Sequence, residues 1–317
     1  MTYRFLASIG IVSALAILPA AGQYTPPRTP DGQPDLQGIW NIGTVTPMER
    51  PAALAGKAFF TQQEAIAYEK QRVETVNRDK REPGSETDVA RAYNDAWWDS
   101  GTEVVRTRRT SMVTDPPDGK IPALTPEAQK KQEERREALR HPPGVPADRP
   151  LAERCLMFPT DAPPMTPYVY NNNYRIVQTK DFVAINVEMV HDTRIIPLDG
   201  RPHLPSNIRQ WFGDSRGHFE GNTLVVDTTN YTDKTSFRGS DKNLHVVERF
   251  TRIDAETVLY QWSVDDPTAF TMPWKGELTM AASSGPIYEY ACHEGNYGMY
   301  GVLSGARAQE KATEPRP

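Results

Sequence analysis

From Tyr174 onward, apolar and polar residues alternate in short runs that are separated by turn sequences. An alternation of period two places every second side chain on the same face of an extended strand. Connectors such as Leu-Asp-Gly at 198–200 and Glu-Gly-Asn at 220–222 are typical of tight turns between antiparallel strands. The pattern predicts a mainly β protein, an antiparallel meander that closes into a barrel or folds as a sandwich. The predicted strands are 174–179, 182–189, 194–197, 223–229, 245–253, 258–265, 275–281 and 287–292.

The preceding part of the chain is rich in proline, with 19 of the 28 prolines between Gln23 and Pro167. Because proline fixes φ and lacks an N–H donor, most of this part is predicted to be irregular. We expect residues 23–160 to wrap around a β domain formed by residues 161–317, and the two parts to form one unit. A first strand is expected over 35–40, where Gly38-x-Trp40 is similar to the opening of lipocalin-like barrels.

Two helices are predicted within this proline-rich segment. Thr61 and Glu64 fit a capping box, which predicts a helix from Thr61 to about Arg81. Thr125, followed by proline at the first helical position, predicts a second helix that ends near Arg140. The second helix is rich in Lys, Glu and Arg, so we expect it to lie on the surface.

The first 22 residues have the features of an export signal. Arg4 provides the positive charge, 5–18 form a short apolar core, and Ala-Ala-Gly at 20–22 forms a small-residue cleavage site. The mature protein is expected to begin at Gln23 and to be periplasmic or secreted, without a membrane span after cleavage. The alternative is an uncleaved anchor. The formal net charge of −5, which becomes −6 without Arg4, argues against a nucleic-acid partner.

Cys155 and Cys292 are the two cysteines of the chain. In an exported protein a pair of cysteines is expected to form a disulfide. Two free buried thiols are the alternative.

The polar faces of the predicted strands allow two interpretations. In one, Glu188, Glu248, Gln261, Glu289 and His293 point into a lumen and surround one cavity. In the other, they form the solvated face of the sheet, which is the usual origin of such alternation.

The candidate catalytic residues are His191, His293, Glu188 and Glu289. Each histidine lies close in sequence to carboxylates, so each is a candidate general acid or base. Arg194, which follows His191 by three residues, is expected to stabilise an anion and bind substrate. A structural role for each histidine is the alternative. Glu188, His191 and His293 could bind a metal, but no spacing requires one, and we predict no metal and no organic cofactor.

A second polar block surrounds Asp214 and Arg216, which are expected to pair or to anchor a substrate together with Trp211. Residues 213–217 match Gly-x-Ser-x-Gly, but a nucleophile elbow needs a helix after the serine, and a turn and a strand follow here. Ser215 is therefore not predicted to be a nucleophile. His293-Glu294 also lacks the second histidine and the helix of a zinc-protease motif.

Three long motifs resemble those of an uncharacterised family of exported bacterial proteins. They are Gly-Asp-Ser-Arg-Gly at 213–217 running into Thr-Leu-Val-Val-Asp-Thr-Thr-Asn at 223–230, His-Asp-x-Arg-Ile-Ile-Pro at 191–197, and Tyr-Glu-Tyr-Ala-Cys-His-Glu-Gly-Asn-Tyr at 288–297. The resemblance covers most of the mature chain. His218-Phe219 departs from it, because the family pattern has a basic residue and Trp there. The resemblance implies export but no activity.

These residues lead to one main hypothesis and two alternatives. The main hypothesis is an exported enzyme of the lyase or isomerase type that applies acid/base chemistry to a small polar or aromatic metabolite. The first alternative is a lipocalin-like protein that binds a small molecule without turnover, and the second is a structural envelope protein.

Overall fold

The computed structural model describes residues 24–77, 79, 84–85, 98, 100–158, 160–235 and 237–313. The export signal predicted over 1–22 lies outside these residues. The described part contains ten strands and three α-helices: β1 (Gly38–Asn41), α1 (Gln62–Val76), β2 (Val113–Asp115), α2 (Pro126–Ala138), β3 (Asn173–Gln178), β4 (Phe182–Val187), β5 (Thr193–Pro197), β6 (Asp214–Glu220), β7 (Thr223–Thr229), β8 (His245–Asp254), β9 (Thr257–Asp265), β10 (Trp274–Ala282) and α3 (Tyr297–Thr313).

The strands form one antiparallel sheet with the order β5-β4-β3-β1-β10-β9-β8-β7-β6, and β2 pairs with β10 outside this path. The two ends of the sheet, β5 and β6, lie side by side. A Cβ atom on Gly217 of β6 would lie 2.8 Å from the Ile196 side chain of β5, so glycine permits this close approach. The sheet is therefore a nearly closed, lipocalin-like barrel, and the barrel alternative of the sequence prediction is confirmed.

The proline-rich segment supplies part of the barrel. The expected first strand is present as β1, and it pairs with β3 on one side and β10 on the other. Trp40 of β1 is buried, donates a hydrogen bond from its indole N–H to Leu36 O at 2.9 Å, and packs against the Arg252 guanidinium. β1 therefore contributes both backbone pairing and one of the largest core side chains.

Residues 160–166, which we call the plug segment, pack inside the barrel. Three tyrosines from β3, β9 and the loop after β7 hold its backbone. Tyr174 and Tyr231 donate to the carbonyls of Thr160 and Pro163 at 3.2 and 3.3 Å, and the Tyr260 hydroxyl accepts from Met165 N at 2.9 Å. All three tyrosines are at most 2% exposed. The plug segment therefore fills space that would otherwise be a lumen.

The alternation predicted which side chains share a face, and of its two interpretations the structure agrees with the solvated outer face for most of the polar residues. On β9, Tyr260, Trp262 and Val264 point into the core, and Gln261 points outward. Glu248 is an exception, because it shares the interior face of β8 with Val246 and Phe250. The interior is thus apolar with a few buried polar groups, and most of the alternating polar residues lie on the outer side.

Seven predicted strands are confirmed, with ends displaced by at most two residues. The strand predicted over 287–292 is wrong, because this segment forms no strand and contains no buried residue. Strands β2 and β6 and helix α3 were not predicted. The sequence of β6, Asp-Ser-Arg-Gly-His-Phe-Glu, lacks an apolar face, and the strand forms because it pairs with β7 along its whole length.

Both predicted helices are present, and both end earlier than expected. The Thr61–Glu64 capping box of α1 is confirmed, with Glu64 N to Thr61 Oγ1 at 3.3 Å and Thr61 N to Glu64 Oε2 at 2.8 Å. The helix ends at Val76 because Asn77 leaves the helical conformation, with ψ at 116°. Helix α2 begins after the Thr125 cap and, of its residues, buries only Ala128, which agrees with the predicted surface helix.

Candidate functional site

Arg194 and Glu248 form an ion pair inside the barrel. Arg194 projects inward from β5 and Glu248 from β8, with Nη2–Oε2 at 2.6 Å and Nη1–Oε1 at 3.1 Å. The Tyr260 hydroxyl donates to Glu248 Oε1 at 2.8 Å, and Ser215 Oγ lies 3.4 Å from Arg194 Nη2. The two charged residues are 4% and 0% exposed. The guanidinium expected to bind substrate is therefore occupied by a carboxylate of the chain itself.

The buried pair is electrostatically balanced. Burial would lower the pKa of Arg194, but the charge and hydrogen bonds of Glu248 outweigh this effect and raise it. Burial also raises the pKa of Tyr174, Tyr231 and Tyr260 well above the ordinary value, so all three remain neutral. Removing one partner of such a pair typically costs about 3–5 kcal/mol, because the other charge stays buried. This arrangement favours a structural role for Arg194 and Glu248.

Glu188 and His191 lie at the turn between β4 and β5. The Glu188 carboxylate is buried, and its Oε2 accepts from Asn173 Nδ2 at 2.8 Å and Asn173 N at 3.2 Å. His191 ends a short 3-10 turn, Met189–His191, in which Val190 has a φ of 57°. The side chain of His191 lies outside what the structure describes, so its catalytic role stays a prediction.

A carboxylic acid near the same turn was not predicted as a site residue. Asp161 of the plug segment is fully buried and accepts a hydrogen bond from Phe158 N at 3.1 Å. Burial raises its pKa to about 8, a shift to which the negative charge of Asp192 contributes. Asp161 therefore keeps its proton at neutral pH. An acid with this pKa is a candidate proton donor.

Glu289 and His293 do not join Glu188 in an interior cavity, because both lie exposed in the irregular segment before α3. Of the two interpretations of the polar faces, these two residues agree with the solvated one. The predicted disulfide is present between Cys155 and Cys292, with Cα atoms 5.7 Å apart, and it attaches this segment to the body of the protein. Glu289 and His293, which were predicted to be catalytic, are thus exposed to solvent and do not lie in an enclosed site.

Asp214 and Arg216 pair at the start of β6, as the sequence predicted. Arg216 Nη1 donates to Asp214 Oδ1 at 2.6 Å, and Arg216 Nε donates to Pro202 O at 3.1 Å. Asp214 Oδ2 also accepts from Leu204 N at 2.8 Å. Trp211 is half-buried, and its carbonyl accepts from Thr235 Oγ1 at 2.8 Å. These contacts hold the loop between β5 and β6 against the sheet and favour the structural alternative.

Two histidines that were not selected from the sequence share one carboxylate. His203 lies between Asp214 and Asp227, with Nδ1–Oδ2 at 3.0 Å and Nε2–Oδ1 at 2.9 Å. The other Asp227 oxygen lies 2.9 Å from His245 Nε2, and this hydrogen bond raises the pKa of His245. Asp227 is 24 residues from His203 and 18 residues from His245 along the chain, so no local spacing reveals the cluster. The pairing of β7 with β8, together with the β5–β6 loop, brings the three side chains together.

A groove of about 820 Å³ lies outside the barrel, between α1 and the loops beside the plug segment. Cavities of roughly 300–1,000 Å³ hold small-molecule ligands in proteins. Its described lining combines apolar side chains with two arginines and includes no aspartate or glutamate. The lining residues are Arg72, Val73, Thr75 and Val76 of α1, Trp98, Met112, Arg238, and residues 44–48, 100–102 and 166–169.

Local packing fixes the helix that forms one wall of the groove. Ala65 of α1 is buried with Phe60 and Val104, and the Phe60 and Tyr68 rings pack with centroids 4.9 Å apart. Glu69 Oε1 accepts from Val104 N at 3.0 Å. With the first turns held in this way, the last turns of α1 present their side chains to the groove. The sequence predicted this helix but not the face that lines the groove.

The opposite wall depends on a close backbone approach. Gly101 has a φ of +81°, and a Cβ atom there would lie 2.3 Å from the backbone of Gly43. Only glycine allows residues 100–102 to lie this close to 43–44. Thr44 Oγ1 donates to Glu103 O at 2.7 Å and holds the two segments together. The groove is therefore built from fixed backbone on this side.

The fold and the groove define a class of protein, a lipocalin-like barrel with a lateral groove of small-molecule size. No family model, curated protein or solved structure matches the chain.

No helix in the described part of the chain is both long and apolar enough to cross a membrane. Among the residues that the structure describes, no group of three or more His, Cys, Asp or Glu side chains is placed to hold a metal ion.

Proposed function

We propose that this protein is an exported, lipocalin-like binding protein that takes a small aromatic or apolar molecule into the groove beside α1. The groove carries this proposal, because it has the volume of a ligand site and walls of Val, Met, Trp and Tyr side chains. The disulfide supports an oxidising compartment, in agreement with the predicted export signal. The barrel interior is a poor alternative site, because the plug segment and large aromatic side chains fill it.

Two fluorescent probes of similar shape test binding to the folded chain that begins at Gln23. One probe is the anion 1-anilinonaphthalene-8-sulfonate, and the other is the neutral N-phenyl-1-naphthylamine. We expect at least one probe to bind saturably. Val76→Trp should fill the groove and weaken binding at least 10-fold, because Val76 is 39% exposed and lines it.

Gln71→Trp is the matched control, because Gln71 is exposed on the same helix and does not line the groove. It should leave probe binding unchanged. Saturable binding that survives Val76→Trp, or the absence of saturable binding by both probes, would refute the proposed site.

The enzyme hypothesis is a second candidate, and one observation favours it. Asp161 has a pKa of about 8, to which the charge of Asp192 contributes, and Asp192 follows His191 directly. A protonated acid there suits the acid/base chemistry of a lyase or isomerase. A metabolite screen in which turnover disappears in stable Asp161→Asn and His191→Ala variants would support it. Turnover unchanged in both variants would remove these residues from the reaction.

A further inference from the structure

Arg72 has an unusual environment in the groove. Its Nε atom is buried and has no hydrogen-bond partner in the described part of the chain. Proteins rarely leave a buried donor unpaired, because the donor has lost its water and gained nothing in exchange. Burial raises the pKa of the neighbouring Tyr68, and the positive charge of Arg72 partly offsets that rise. Arg72 therefore lines the groove with one donor unpaired within the described part of the chain.

Arg238 supplies a second positive charge to the same groove. It lies in a tight turn in which Phe237 and Ser240 exchange backbone hydrogen bonds of 2.9 Å, and it is accessible to solvent. Partial desolvation lowers the pKa of Arg238, and the charge of Glu49 opposes this effect. The Glu49 carboxylate already accepts from Ile121 N at 2.9 Å and lies 3.7 Å from Lys120 Nζ. It is therefore shared with other donors and does not form an ion pair with Arg238.

The two arginines make the groove complementary to a negatively charged occupant. In the described part of the chain, the groove lining contains both arginines and no acidic side chain. The same lining includes apolar and aromatic side chains. An occupant with an anionic group and a flat hydrocarbon part would pair with the guanidinium groups and cover the apolar walls.

We propose that the groove selects small aromatic anions, whose carboxylate or sulfonate binds Arg72 and Arg238. This inference rests on the proposed binding function and adds the charge of the ligand to it. A guanidinium offers planar paired donors to such a group, and a partly enclosed site strengthens the interaction.

The same two probes measure the selectivity, because they differ by the sulfonate group. The anionic probe should bind at least 10-fold more tightly than the neutral one. Arg72→Gln and Arg238→Gln should each weaken the anionic probe about 10-fold, since a charge-assisted hydrogen bond contributes a factor of this order. The neutral probe should change by less than about 3-fold. Arg72→Lys should lose less selectivity than Arg72→Gln, because it retains the charge although it lacks the paired donors of a guanidinium.

Arg175→Gln is the control, because Arg175 is exposed on β3 and does not line the groove. It should change the binding of neither probe. Circular dichroism melts identify any variant that fails to fold, and the Lys variant then tests the charge separately. Equal affinity for both probes would overturn the anion selectivity. If Val76→Trp also weakened the binding of both probes, the proposed binding site would still be supported. Loss of selectivity in Arg72→Lys equal to that in Arg72→Gln would also overturn it.

Discussion

Arg194, Glu248 and Asp161 show how single residues determine the barrel interior. The first two residues neutralise each other, so they add no unpaired charge to the interior. Asp161 has no cationic partner among the residues that the structure describes, and burial keeps it protonated. The apolar interior of the barrel thus has two opposite effects. Glu248 is charged and paired with Arg194, whereas Asp161 is neutral.

The neutral acid predicts a pH dependence of stability. The pKa of Asp161 rises from an ordinary value of 3.8 to about 8 in the folded protein. Between these values the folded state binds the proton and the unfolded state does not, so this residue makes the free energy of unfolding fall as pH rises. The slope is at most about 1.4 kcal/mol per pH unit. Asp161→Asn should remove this contribution to the slope in urea unfolding measured from about pH 5 to pH 8.

Asp31→Asn is the control for this measurement, because Asp31 is exposed. It should leave the slope unchanged. An Asp161→Asn protein with the same slope as the parent would show that Asp161 is ionised in the folded state.

At the scale of elements, β6 and the C-terminal segment depend on contacts that are distant in sequence. Strand β6 has no apolar face of its own and is defined by β7. Helix α3 buries Ala306, and Arg307 donates to the carbonyls of Gly144 and Pro143, both at 3.0 Å. The Cys155–Cys292 disulfide adds a covalent link a few residues before the helix.

We expect the disulfide to dominate the attachment of α3. In a Cys155→Ser/Cys292→Ser protein, the amides of α3 should lose hydrogen-exchange protection, and those of β8 and β9 should keep theirs. The free energy of unfolding should also fall by up to about 4–5 kcal/mol on the loop-entropy model. Arg307→Ala with the disulfide intact is the comparison, and it should retain most of the protection. Unchanged α3 protection in the double variant would show that noncovalent contacts suffice.

At the scale of the whole molecule, the two halves of the chain share one sheet. β1 comes from the proline-rich segment and occupies the position between β3 and β10. Without it, both neighbours would have unpaired edges, and Trp40 would be missing from the core. The plug segment adds hydrogen bonds with three core tyrosines.

Neither half should therefore fold alone. We expect the separate chains 23–160 and 161–317 to lack a cooperative unfolding transition in urea, whereas the chain beginning at Gln23 shows one. Limited proteolysis of the intact protein should leave no stable N-terminal fragment. A cooperative transition in either isolated half would contradict the prediction that they form one unit.

The sequence by itself determined the features that depend on neighbouring residues. The alternation predicted most strands because strand geometry has a period of two, and Thr61 with Glu64 predicted the start of α1 because a capping box is local. The sequence predicted the disulfide because it contains two cysteines and an expected export signal. The Asp214–Arg216 ion pair could also be predicted from the sequence, because its members lie two residues apart.

Only the tertiary structure decided which residues meet across the sheet and around the groove. Glu248 lies inside because β8 orients it toward Arg194, although alternation alone allowed either face. His203, Asp227 and His245 meet through strand pairing, and the groove combines α1 with segments that are far apart in sequence. These outcomes depend on register, barrel closure and the position of the plug segment. These contacts between distant residues are set by the free energy of the whole chain, and no local sequence pattern specifies them.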